Sequence, residues 1–426
     1  MAVLPAGFKA LLRGPLGWFY TTTMVQSVGF GLSLVLFLIY VHDVRHFSVL
    51  FATSLLAANA VVGLAASPVI GTLTDRFGPV HVFTSLVLLE VVALVNWAFA
   101  DNAIWLVATS VLMALSAGAI FGPGSALLAR LAPEELHQQS FGTNFMILNA
   151  GIGLGGLISA AVVNINRPET FTWLYLGTAF FCFLGIFPML HIRSHGGPVD
   201  REHLSESESR EGWRVVLADH RMVYLVVAAV VLLTSGYGSL DAGFSLFVVD
   251  QYHLPVRVVS IALTFNTATI VLAQLFVLRQ LDGKSRTRIM ALVSLFWTVS
   301  WIIIGAAVHT THWLAIGLLC VAQTIFAIGE TLWSPMGPSL VNQIAPEHLR
   351  GRYNAAFGLT WSLSSVLAPL LAGLFLGRSL ALWWPYVIAG GALIGGFLML
   401  GLRRRLTAEE DGRIVPASPA PAAEAI

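Results

Sequence analysis

The chain has 426 residues, of which 57% are hydrophobic and only 11% charged, and its net charge is +1. Ordinary soluble domains carry roughly 25% charged residues, so the composition excludes an ordinary soluble protein. The near-neutral charge gives no sign of a nucleic-acid partner.

A helix that crosses a bilayer needs about 20 mostly apolar residues. Twelve runs meet that requirement, six near 15–40, 48–70, 80–100, 103–129, 140–164 and 170–192, and six near 221–249, 256–278, 288–308, 313–340, 353–376 and 381–402. The prediction is an all-α membrane protein of two six-helix bundles. Residues 1–192 form the first bundle, 193–220 a polar linker, 221–405 the second bundle and 406–426 a disordered tail. The tail carries Pro416, Pro419 and Pro421 among alanines, without apolar periodicity. The run after residues 1–14 is too long for a cleavable signal, so the first span is expected to remain as an anchor. Cys182 and Cys320 each fall inside a span and suggest no disulfide framework.

Of the 23 Lys and Arg, only Arg45, Arg167, Arg257 and Arg378 lie in odd-numbered loops. The positive-inside rule then puts both termini in the cytoplasm. The two halves also share a segment. Leu131-Ala132-Pro133-Glu134-Glu135-Leu136 follows the fourth span, and Ile344-Ala345-Pro346-Glu347-His348-Leu349 follows the tenth. Proline suits a first helical turn, and glutamate suits the positive end of a helix dipole. A parallel six-plus-six repeat is a transporter signature, with the substrate site between the halves near the midplane.

Two carboxylates interrupt spanning runs. Asp241 has Tyr237 four positions before it and Phe244 three after; Glu330 has Phe326 and Trp333 at the same spacings. On a regular helix each trio shares one face. A charge at a helix centre costs about 2.5–3.5 kcal/mol on insertion scales, which makes such residues functional candidates. Protonatable acids with aromatic walls could exchange a proton for a cation, helped by cation–π contacts. The alternative is a structural acid bonded to a neighbouring helix. Glu90, in the third span, is a weaker candidate. Thr22, Gln26 and Phe30 share a face of the first span, and either ligand contact or helix–helix bonding would use them.

Other patterns carry no chemistry. Gly151-Ile152-Gly153-Leu154-Gly155-Gly156 lacks the preceding strand and following acid of a dinucleotide fingerprint and reads as close helix packing. Gly283-Lys284-Ser285 lacks the earlier glycine of a phosphate-binding loop, because Leu278 stands there. No nucleophile set is visible, and His309 and His312 lack a third metal ligand. Neither a cofactor nor a metal is expected, nor an enzyme activity. Any pumping must draw on an ion gradient.

The loop between spans 2 and 3 reads Gly71-Thr72-Leu73-Thr74-Asp75-Arg76-Phe77-Gly78. It resembles the signature of the major facilitator superfamily at Gly71, Leu73, Asp75, Arg76 and Gly78, with Pro79 and Val80 in place of the usual basic pair. Arg279-Gln280-Leu281-Asp282-Gly283-Lys284 looks like a decayed second copy. The resemblance implies that Asp75 and Arg76 hold one conformational state without touching substrate. It also implies that spans 1, 4, 7 and 10 line a central cavity, which would include Asp241 and Glu330. Gly329-Glu330, Pro335, Ala345-Pro346-Glu347, Arg350-Gly351-Arg352-Tyr353, Ala368-Pro369 and Gly373 are similar to the pattern of bacterial drug–proton antiporters. Two positions depart from it: Leu154 stands where the fifth span usually has proline, and Ala114 where the fourth usually has arginine. The expected function is proton-driven export of small amphipathic or cationic compounds by a monomer in a bacterial inner membrane. Its partners would be substrate, protons and lipid. A sugar or metabolite transporter of the same superfamily is the main alternative, and a membrane enzyme or receptor a distant one.

Overall fold

The computed structural model describes residues 12–34, 36–37, 40–117, 120–164, 167–197, 212–281, 283–376 and 380–413. In lipid, backbone groups must be bonded within the segment itself, so the apolar runs become helices. The long helices are α1 (Gly14–Ser33), α2 (Val49–Phe77), α3 (Pro79–Phe99), α4 (Ala103–Leu131), α5 (His137–Val162), α6 (Glu169–His191), α7 (His220–Tyr252), α8 (Val256–Leu281), α9 (Arg286–Ala307), α10 (His312–Ile344), α11 (Arg350–Leu376) and α12 (Trp384–Leu402). Among the described residues, 11 helices are long and apolar enough to span, and α1 is not one of them. Its 20 residues include Thr21, Thr22, Thr23, Gln26 and Ser27, which lower its apolarity. α1 nonetheless packs with the others, against α5 and α6.

Two apolar cores organise the chain. One draws on residues between Leu16 and Ile192, the other on residues between Val216 and Leu406. Glycines set the α1–α5 approach: a Cβ on Gly151 would lie 2.6 Å from the Ser27 Cβ. The glycine run of α5 is therefore packing surface.

Local structure repeats between the halves. Pro133 and Pro346 have nearly equal backbone angles, and each opens a single 3₁₀ turn, Glu134–Leu136 and Glu347–Leu349. Gly78 and Gly283 both take positive φ, +86° and +68°. After α1 and α7 the chain turns through left-handed His46 and His253. The Tyr40 hydroxyl donates to carbonyls at the end of α3, and that of Tyr252 to the Ile304 carbonyl of α9.

The ends that carry the α2–α3, α6–α7 and α8–α9 connections form the basic end of the molecule. Residues 198–211 of the linker, Asp282 and the tail beyond 413 lie outside the described residues. The stretch 406–413, expected to begin a disordered tail, instead forms a docked turn. Asp411 is fully buried and accepts from Ser285 Oγ (2.6 Å), Thr287 N (2.9 Å) and Thr287 Oγ1 (2.8 Å), while Arg413 pairs with it at 3.1 Å. These bonds satisfy the start of α9, which is why a polar stretch without apolar periodicity is held in place.

Candidate functional site

α7 is not a regular helix. Five-residue π turns occupy Thr234–Gly238 and Leu240–Phe244, and Gly236 has non-helical angles (φ −101°, ψ −107°). Such turns widen the helix and recur at functional sites. The missing side chain of Gly236 makes room for the Trp297 ring, and on the other side a Cβ on Gly329 would lie 2.6 Å from Trp297 Nε1. Trp297 of α9 is thus wedged between α7 and α10. It stacks on Phe326 (centroids 5.1 Å) and donates to the Phe326 carbonyl at 3.2 Å.

This wedge sets the position of Tyr237, whose ring meets Trp297 (5.4 Å), Phe326 (6.2 Å) and Trp361 (4.8 Å). Its hydroxyl lies close enough to the Glu330 carboxylate for the two to interact. Glu330 is only 4% exposed, and its Oε2 accepts from Asn266 Nδ2 of α8 at 2.5 Å. Polar groups from α7 and α8 therefore converge on one acid of α10. Bonding of this kind offsets the cost of burying a carboxylate. Asp241 is exposed and close enough for its charge to act on Glu330 and Tyr237.

The expected residues divide accordingly. Tyr237, Asp241, Phe326 and Glu330 come together. Phe244 does not join them: the π turns break the shared face, and Phe244 is fully buried in the second core. Trp333 keeps its place on the Glu330 face but is 4% exposed and stacks on Phe357 (6.2 Å), towards the basic end. Gln26 is in the other half, packed against Gly185 of α6, where its neighbour Thr22 donates to the Gly185 carbonyl at 3.1 Å. Thr22 uses that face for helix–helix bonding, the Gln26 amide nitrogen is buried without a hydrogen-bond partner among the described residues, and Phe30 is exposed. Glu90 lies on α3 near Cys182 of α6, also in the first half. Asn266, Trp297 and Trp361 were not singled out from the sequence. Asn266 had a readable signal, an amide at the middle of an apolar run; the tryptophans had none that separated them from ordinary core.

The loop motif forms a second site, at the basic end. Asp75 is 5% exposed and accepts from Gly351 N (2.6 Å), Arg352 N (3.3 Å) and Arg352 Nη1 (3.0 Å) of α11. Gly71 allows this approach, because a Cβ there would lie 2.6 Å from the Ala355 Cβ. Ser67 donates to the Ala355 carbonyl at 3.1 Å. Leu73 packs on the small core of Ala66, Val82 and Leu86, and Gly78 at φ +86° brings Val80 N to the Gly196 carbonyl at 3.2 Å. Arg76 points outward over the Phe77 ring (5.3 Å). The motif's adjacent charges therefore do different jobs, and Asp75 takes its partner from the other half of the chain. Gly142 of α5 also meets Gln274 and Leu278 of α8. Contacts between the halves include Gly153 with Thr267 in mid-helix and Asp75 with Gly351 and Arg352 at the basic end.

A sequence model of the Major Facilitator Superfamily matches residues 19–320 and 229–425, and the chain belongs to that superfamily. Its members are transporters, not enzymes. The chain is 24% identical over 382 residues to a Na(+), Li(+), K(+)/H(+) antiporter of Planococcus maritimus, covering 82% of this chain and 87% of that protein. It is 21% identical over 325 residues to the quinolone resistance protein NorA of Staphylococcus aureus, covering 75% and 79%. Among solved structures, it superposes on a bacterial homologue of the iron transporter ferroportin in an outward-facing state with a TM-score of 0.76. That match has 13% identity and covers 92% of this chain and all of the other.

Proposed function

We propose that the protein exports small amphipathic or cationic compounds in exchange for protons, by alternating access, from a bacterial inner membrane. The observation that carries this reading is Glu330: a buried acid bonded by Asn266, with the Tyr237 hydroxyl and the acid Asp241 near it. Protonation of Glu330 from the outside would release a bound cation, and deprotonation towards the cytoplasm would re-form the cationic site. The aromatic surfaces of Tyr237 and Trp361 suit a flat or amphipathic cation. Similarity to NorA favours drug-like substrates.

The basic end is assigned to the cytoplasm by the positive-inside rule. Contacts between the halves then crowd the cytoplasmic side, which makes the present conformation outward-facing. Asp75 and Arg352 are its cytoplasmic clasp.

Alkali-cation exchange is the second reading, favoured by the proximity of two carboxylates and by similarity to the Planococcus antiporter. Proteoliposomes with an imposed pH gradient, loaded in parallel with cationic dyes and with Na⁺, test both. Dye flux that follows the gradient supports the first reading and Na⁺ flux alone the second. Flux of either kind that ignores the gradient would overturn proton coupling.

A further inference from the structure

We infer that Asn266 is a positioning residue that ties the charge state of Glu330 to the seam between the two halves. This rests on the reading of Glu330 as proton carrier. An amide opposite a carboxyl bonds it differently in its two charge states. An ionised carboxylate only accepts, so it takes the Asn266 Nδ2 hydrogen as a charge-assisted bond, a type roughly twice as strong as a neutral one. A protonated carboxyl has an O–H to donate, and it can meet Asn266 only through the amide oxygen. Asn266 is 7% exposed and Glu330 4%, so water cannot freely substitute. Loading the proton therefore weakens the bond or turns the amide over.

The consequence is mechanical because of where α8 lies. Gln274, two turns on from Asn266, donates to the carbonyl of Thr331 at 3.1 Å, the residue next to Glu330. α8 is thus fastened to α10 at Glu330 and Thr331. Along the same helix, Thr267 meets Gly153, and Gln274 and Leu278 meet Gly142, both on α5 of the first half. A Cβ on Gly142 would lie 2.9 Å from Gln274 Nε2 and 3.0 Å from Leu278 Cδ1. α8 touches the acid through Asn266 and the opposite half through Thr267, Gln274 and Leu278. The titratable groups that face Glu330 are Tyr237 and Asp241 of α7. The charged side chains of α5, α8, α9 and α11 lie at their ends. Asn266 is thus the group on α8 able to sense this proton.

The test uses the full-length protein in proteoliposomes and reads the pH profile of gradient-driven dye export. Asn266→Ala removes a bond that favours the charged carboxyl, so the profile midpoint is expected to move to higher pH by at least half a unit. Asn266→Asp keeps the shape but replaces a donor by a second acid. It is expected to broaden the profile and lower coupled export at least tenfold. Asn266→Asp also keeps the test decisive if the alanine variant does not fold. If both variants keep the wild-type midpoint and rate, the role of Asn266 is refuted. If Glu330→Gln, with Asn266 intact, keeps full coupling, the carrier reading itself fails, which is a separate outcome.

Discussion

Asp75→Asn tests whether the clasp holds the outward-facing state. The substitution preserves shape and lets the side-chain oxygen keep the bond from Gly351 N. It turns the other oxygen, which accepts from Arg352 N and Nη1, into an amide nitrogen facing donors. Bonds to charged groups contribute about 1.5–3 kcal/mol each, but the Arg352 N bond is long at 3.3 Å. A loss of about 3 kcal/mol is expected, which is a shift of roughly 100-fold in the balance of states. Spin labels at positions 135 and 284 report the cytoplasmic opening, and labels at 101 and 311 the outer one, in a background without Cys182 and Cys320. The variant should gain a longer 135–284 distance and a shorter 101–311 distance. Arg76→Gln should change neither, since Arg76 points outward and surface changes usually stay within about 0.5 kcal/mol. Unchanged distances in Asp75→Asn, or an equal shift in Arg76→Gln, would refute the assignment.

Three further outcomes follow from the same geometry. Gly351→Ala would place a Cβ 2.5 Å from Asp75 Oδ1 and 2.7 Å from the Gly71 carbonyl, so it should open the cytoplasmic side as Asp75→Asn does, read by the same labels. Phe326→Ala should cost about 3–5 kcal/mol of stability, because Phe326 is fully buried; a thermal-unfolding scan that shows no loss would return Phe326 to the cavity wall. Asp219, before α7, is bonded by Arg221 and by the Tyr353 hydroxyl of α11 (3.0 Å). Burial pushes its carboxyl up, but the bonds from Arg221 and Tyr353 outweigh this and hold it below the usual range. A depressed value means that its stabilisation is complete above about pH 3.9 and is lost as pH falls through the lower folded value. Tyr353→Phe should therefore lower the melting temperature at pH 7, and the difference should vanish in strong acid.

The sequence was most legible where a rule has a single physical outcome. Apolar runs in lipid must be helices, and the Pro-Glu segments after the fourth and tenth spans take the same turn because proline fixes the same φ in both. Glu330 was legible as an anomaly because a buried acid is costly. What could not be read was who meets whom. The partner of Asp75 is 277 positions away at Arg352, and adjacency in sequence suggested Arg76 instead. The face shared by Asp241 and Phe244 assumed 3.6 residues per turn, and the π turns around Gly236 invalidate that count. Within those turns Gly236 meets Trp297 and Gly243 meets Trp384, both on other helices far along the chain. Residues 406–413 looked featureless because their bonds are made to Ser285, Thr287 and Arg221, far along the chain.

The central claim is that Glu330 carries the coupled proton. The direct measurement compares wild type with Glu330→Gln in proteoliposomes, recording gradient-driven dye export and gradient-free dye exchange on the same preparation. The variant is expected to lose driven export at least 100-fold, because the proton site is gone, and its gradient-free exchange of a cationic dye should also weaken, because the neutral amide mimics the carboxyl that has released its cation. Driven export at the wild-type rate in Glu330→Gln would contradict it.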